Sequence, residues 1–281
     1  MKIIKALTVL ALGIFCLTAC SSKDTNNVAV QDNVAVQEEN TETAEEIEEE
    51  TKGETTEGIE KEKGDPMEIK EEMLEVGSVR LSVKEAGSGP DMILIHGRTL
   101  SKEAMDGLFE YYKDRYHVIS YDVRGHGRTE SGGPCTLDDL SDDLVGLIDA
   151  YQLEKPVVIG FSMGSYIALR TAERYPDLFK GIVLIGTRGQ GQVSSFRISD
   201  EVAEAMETFD NMAEVANAAV PALVMSGEND FINPPEEGEK VAEALPDAEF
   251  KLVPGAEHEA YDDNPEFVFE QIDTFLQSLN K

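Results

Sequence analysis

The chain has 281 residues, room for one large domain or two small ones. Its 24 Lys and Arg stand against 56 Asp and Glu, a formal charge of −32. That balance excludes nucleic-acid binding through phosphate contacts and a purely electrostatic hold on an anionic membrane, since both need clustered Lys and Arg. The charge is uneven along the chain. Residues 1–20 carry Lys2 and Lys5 and no acid, residues 21–66 carry 15 acidic and 4 basic side chains, and residues 67–281 keep a net charge of −23. The pattern predicts three parts: an apolar N-terminus, an acidic tether and one domain long enough to bury a sizeable core.

Lys2 and Lys5 precede an apolar run from Ala6 to Leu17, too short to span a bilayer comfortably, and then comes Leu17-Thr18-Ala19-Cys20. A basic start, a short apolar run and small residues before a cut are the marks of a secretory signal, here residues 1–19. The tetrapeptide resembles the lipobox of bacterial lipoproteins. That resemblance implies a diacylglyceryl thioether on Cys20, which becomes the new N-terminus, and export to the outer face of a bacterial membrane, at the cell surface or facing a periplasm. Two or more acyl chains anchor durably where one does not. The other reading is an ordinary cleaved signal, or an uncleaved anchor, with a coincidental Cys. Cys16 would leave with the signal, so Cys135 would remain as the one free thiol and no internal disulfide is expected.

Residues 20–66 repeat Asn-Val-Ala-Val-Gln at 27–31 and 33–37 and then turn Glu/Thr-rich. Such a segment buries too little apolar surface to offset its ordering entropy, so a disordered spacer is expected.

From residue 76 onward, short apolar runs alternate with amphipathic patterns. Strands are predicted at 78–84, 91–95, 117–121, 156–161, 181–186, 221–226 and 248–253. Helices are predicted at about 102–114, 136–151, 163–175, 236–244 and 264–279. Unbroken runs such as Met92-Ile93-Leu94-Ile95 point to strands covered on both faces. The alternation predicts an α/β fold with a mostly parallel central sheet flanked by helices, whose function lies beyond the carboxyl ends of the strands.

Gly160-Phe161-Ser162-Met163-Gly164 falls directly between an apolar strand and a helical pattern. A G-x-S-x-G turn in that setting thrusts a serine hydroxyl out above the sheet, with the flanking glycines expected to permit the strained turn. A serine needs a base, and the base an orienting acid. Among His96, His117, His126 and His258, only His258 follows Ser162, just after the strand at 248–253. Asp230 follows the strand at 221–226. Asp200 and Asp210 are alternative acids, but both fall in a charged helical stretch.

Taken together, these blocks resemble an α/β-hydrolase. Ile95-His96-Gly97 follows one strand, Asp122-Val123-Arg124-Gly125-His126-Gly127-Arg128 the next, and Gly181-Ile182-Val183-Leu184-Ile185-Gly186-Thr187 precedes the Asp230 and His258 blocks. The resemblance implies Ser162 as nucleophile, His258 as general base and then acid, and Asp230 as the orienting acid. It also implies an oxyanion hole from the backbone N–H groups of Arg98 and Met163, structural roles for His96 and His126 rather than metal binding, and no cofactor. The expected substrate is a small molecule: a carboxylic ester, lactone or thioester. Carbon–carbon hydrolysis, perhydrolysis or acyl transfer are rival chemistries for the same three residues, and a non-catalytic surface binding protein is a rival of another kind.

Smaller expectations follow. Cys135, in a Gly-Gly-Pro loop, is a rival nucleophile without the strand–turn–helix setting. His117 is expected to pack at a strand start. Arg98 either binds an anionic group of the substrate or pairs with a surface carboxylate. Ser165 stands where many relatives have Gly. Residues 187–220 leave room only for a reduced cap of one or two helices around 199–218, and the absence of Trp argues against an aromatic-rich pocket.

Overall fold

The computed structural model describes residues 68–130, 132–192 and 201–281. The signal, Cys20, the tether and Asp200 lie outside the described residues.

Eight strands form one sheet: β1 (Lys70–Val76), β2 (Val79–Ala86), β3 (Asp91–Ile95), β4 (His117–Tyr121), β5 (Val157–Phe161), β6 (Gly181–Ile185), β7 (Ala222–Gly227) and β8 (Ala248–Val253). Their order is β1-β2-β4-β3-β5-β6-β7-β8. β1 and β2 pair antiparallel and β2 runs antiparallel to β4, whereas every later pair is parallel.

The unbroken apolar runs have a direct cause. In β3, Ile93 and Ile95 pack into one core while Met92 and Leu94 pack into another on the opposite face. β5 divides in the same way, Val158 to one side and Val157 and Ile159 to the other. A strand buried on both faces has no place for polar alternation.

The helices are α1 (Asp106–Tyr112), α2 (Leu137–Tyr151), α3 (Met163–Arg174), α4 (Ala203–Thr208), α5 (Pro235–Ala244), α6 (Ala260–Asp263) and α7 (Pro265–Ser278). α2 starts where Thr136 and Asp139 cap each other: the Asp139 N–H donates to Thr136 Oγ1 at 3.2 Å, and the Thr136 N–H donates to Asp139 Oδ2 at 2.7 Å. Its buried stripe, Leu137, Leu140, Leu144, Leu147 and Ile148, has helical spacing. α7 closes the other face with Val268, Ile272, Phe275 and Leu276.

Four features differ from the sequence expectation. β1 is an additional strand. Its sequence, Lys-Glu-Glu-Met-Leu-Glu-Val, reads like the acidic tether because it is a charged sheet edge, with only Val76 buried. The helix expected over 102–114 is a 3₁₀ turn, Lys102–Met105, followed by α1. There the Lys102 N–H donates to Asp122 Oδ1 at 2.7 Å, and its ammonium is buried against Ser82 and Asp122. The reduced cap holds α4 and a short 3₁₀ turn, Val215–Asn217. Asp210 sits in an isolated bridge to Gln190 instead of in a helix. His117 packs as a strand start but is also held between Asp91 and Glu85, at 2.8 and 2.9 Å.

Candidate active site

Four chain segments leave the carboxyl edge of the sheet and converge. Ser162 follows β5, Arg98 follows β3, Asp230 follows β7 and His258 follows β8.

The turn at Ser162 is strained, and the serine itself carries the strain. Its φ is +48° and ψ −114°, a region that L side chains rarely occupy. The flanking glycines do something other than adopt positive φ: they supply room. A Cβ on Gly160 would lie 2.3 Å from the Gly164 carbonyl oxygen, and one on Gly164 would lie 2.2 Å from that of Ile95. The turn is tied down by the Ser162 N–H, which donates to the Ile185 carbonyl at 2.8 Å. Ser165 has a local role, since its hydroxyl donates to the Ser162 carbonyl at 2.6 Å.

Asp230 is buried. Its Oδ1 accepts from the backbone N–H groups of Ile232 (2.9 Å) and Asn233 (2.8 Å), which leaves Oδ2 to His258 Nδ1 at 2.7 Å. His258 Nε2 lies 3.0 Å from Ser162 Oγ. An ionised carboxylate only accepts, so the network assigns the proton to Nδ1; Nε2 is then the acceptor and the Ser162 hydroxyl the donor. That relay can take a proton from Ser162 and pass it to a leaving group. Backbone proximity sets the imidazole position. A Cβ on Gly186 would lie 3.2 Å from the His258 ring, and one on Gly227 would meet the Glu257 carbonyl oxygen at 1.9 Å.

Met163 is the first residue of α3, so its N–H has no carbonyl partner inside the helix. Arg98 and Met163 both line the cavity in front of Ser162. The Arg98 loop is braced by His96, which is fully buried. Its Nδ1 lies 2.7 Å from the Gly97 carbonyl oxygen, and its Nε2 accepts the Val123 N–H at 3.0 Å. Burial pushes the His96 imidazole down to about 4, so it stays neutral at neutral pH. The His126 ring lies 5.3 Å away.

The cavity has a volume of about 550 Å³. Phe161, Tyr166 and Phe231 contribute rings to its wall, more aromatic surface than a chain without Trp led us to expect. Cys135 is buried elsewhere, with its thiol pushed up to about 11, far from the thiolate form a nucleophile requires.

Sequence reasoning missed Asn233. Its side-chain amide donates to the Tyr166 hydroxyl and to the Gly186 carbonyl, both at 2.6 Å, while its backbone holds Asp230. Nothing local marks it, because its partners lie 67 and 47 residues away in the chain.

The architecture is the α/β-hydrolase fold. A family model described as "alpha/beta hydrolase fold" matches residues 90–214, and one described as "TAP-like protein" matches residues 187–281. The chain is 34% identical over 115 residues to a 2-(acetamidomethylene)succinate hydrolase of Mesorhizobium japonicum, covering 40% of this chain and 41% of that one. It is 35% identical over 78 residues to 3-oxoadipate enol-lactonase 2 of Acinetobacter baylyi, covering 27% and 29%. These alignments therefore span well under half of the curated relatives. Among solved structures, a thermophilic esterase from Thermogutta terrifontis, with malate bound, superimposes with a TM-score of 0.62 at 25% identity, over 75% of this chain and all of the other.

Proposed function

We propose that this chain is a serine hydrolase that cleaves a small carboxylic ester, lactone or thioester through an acyl-enzyme. The observation that carries this reading is the unbroken relay from Ser162 Oγ through His258 to Asp230 at the wall of a 550 Å³ cavity. Similar proteins named as a hydrolase, an enol-lactonase and an esterase support it.

In this mechanism His258 Nε2 takes the Ser162 proton as Oγ attacks the substrate carbonyl carbon. The oxyanion that forms is held by the N–H groups of Arg98 and Met163; one such donor is worth about 10²–10³ in rate. As the tetrahedral intermediate collapses, the bond to the alcohol breaks, and the alcohol leaves with the proton from His258. Water then attacks the acyl-enzyme, His258 again acting as base, and the acid departs. Asp230 keeps the tautomer and stabilises the imidazolium without being protonated.

The test is hydrolysis of p-nitrophenyl acetate, butyrate and octanoate by wild type and Ser162→Ala. Turnover that disappears in the variant is the expected result. Equal turnover in both would place the nucleophile elsewhere, and none in either would favour carbon–carbon, perhydrolase or non-catalytic readings.

We also propose that Cys20 carries a lipid anchor that holds the domain at the outer face of a bacterial membrane. The support is the sequence Leu17-Thr18-Ala19-Cys20 after a short apolar run. Globomycin should then cause a longer precursor to accumulate; an unchanged product would contradict the anchor.

A further inference from the structure

In a domain with a net charge of −23, an arginine is expected to find a carboxylate, and most do. Arg80, Arg115, Arg124, Arg128, Arg170 and Arg174 are each paired. Arg188 is not paired with any described carboxylate. Among the described residues its one hydrogen bond runs from Nη1 to the neutral Gln192 Oε1, and its Nε is buried without a partner there. A guanidinium always carries its charge, so Arg188 brings a positive charge to the cavity wall with no described carboxylate to balance it.

Its place in the fold says what that acceptor belongs to. β3 and β6 flank β5 in the sheet, so the segments after them stand on either side of Ser162. Arg188 lies two residues beyond Gly186, where an added Cβ would lie 3.2 Å from the His258 ring. Both Arg188 and Gln192 line the cavity that holds Ser162 and His258, and Arg98 lines it from the β3 side. The one carboxylate in that described lining, Glu259, is exposed to solvent and forms no ion pair with Arg188.

We infer that Arg188 is an anion subsite of the active-site cavity, and that the substrate carries a carboxylate in addition to the carbonyl under attack. The subsite rests on the ester-hydrolase reading for its substrate class but not for its existence. Arg188 offers Nη2, for which no described residue supplies an acceptor, as a charged donor to a carboxylate oxygen, with Gln192 fixing Nη1. Charge-assisted hydrogen bonds in a partly desolvated cavity favour such an ester over its neutral isostere.

The experiment compares kcat/KM for monomethyl succinate and O-acetylglycolate, which carry the carboxylate on opposite sides of the ester, with methyl butyrate as the neutral reference. In Arg188→Gln the anionic-to-neutral ratio should fall tenfold or more for at least one anionic ester, chiefly through KM, and Arg188→Lys should restore part of it. Both ratios remaining within twofold of wild type would overturn the subsite. If Arg188→Gln does not fold, the wild type decides. It should prefer an anionic ester; preference for methyl butyrate over both anionic esters would overturn the proposal. If wild type hydrolyses none of the three esters, the ester reading fails separately. The subsite is then judged by calorimetric titration of succinate, which should bind wild type at least tenfold more tightly than Arg188→Gln.

Discussion

Asn233 and Tyr166 meet at 2.6 Å, the side-chain amide of one donating to the phenolic oxygen of the other beneath the active-site cavity. The same amide donates to the Gly186 carbonyl, and the same residue's backbone N–H donates to Asp230 Oδ1. One buried side chain thus joins the segments after β6 and β7 to α3, which begins at the strained serine. Asn233→Ala leaves the Gly186 carbonyl short of a partner and removes the brace under Tyr166. We expect a stability loss of about 1–3 kcal/mol by urea denaturation. Turnover should fall more in Asn233→Ala than in Tyr166→Phe, which loses the hydroxyl but keeps the Asn233–Gly186 bond.

Asp230→Asn keeps the shape of the acid but can present a donor to His258 Nδ1, which favours the wrong tautomer. Loss of kcat by about 10⁴, with the fold retained by circular dichroism, is the expected outcome. A variant with near-normal kcat would mean that Asp230 only packs there.

The serine holds a backbone conformation better suited to glycine. Ser162→Gly should therefore gain about 1 kcal/mol of stability while losing hydrolysis altogether. A melting temperature equal to or below that of wild type would show that the +48° φ stores no strain.

Glu173 is buried on α3 beside Arg170, with one carboxylate oxygen unpartnered. Burial pushes its carboxyl up to about 7 in the folded chain, against an ordinary value near 4.5. An acid whose folded value is raised is ionised first in the unfolded chain, so its contribution to stability falls as pH rises from 4.5 through 7. Glu173→Gln keeps a hydrogen bond to Arg170 without the charge. It should be more stable than wild type at pH 8.5, on the order of 1–3 kcal/mol, with a smaller gain at pH 5.5. Equal gains at both pH values would rule out ionisation as the cause.

Much of this was legible in the sequence where a residue's role depends on its near neighbours. β3 and β5 read as buried because each packs on both faces, and Ser162, Asp230 and His258 each sit at a strand end that the apolar runs mark out. What was illegible depends on distant contacts. β1 carries tether-like charges because it lies at an edge. Gly160 matters for the Gly164 carbonyl folded back on it by the turn, and Gly164 for the Ile95 carbonyl pressed against it from another segment of the chain. Asn233 and Arg188 look like ordinary loop residues until the strand ends come together.

The account turns on Ser162 being a nucleophile activated by His258. The most direct measurement is labelling of the full chain with a fluorophosphonate, with the adduct located by mass spectrometry in wild type and His258→Ala. A single adduct on Ser162 that forms at least 100-fold more slowly in His258→Ala is the predicted result. No adduct, or one on another residue such as Cys135, would contradict it.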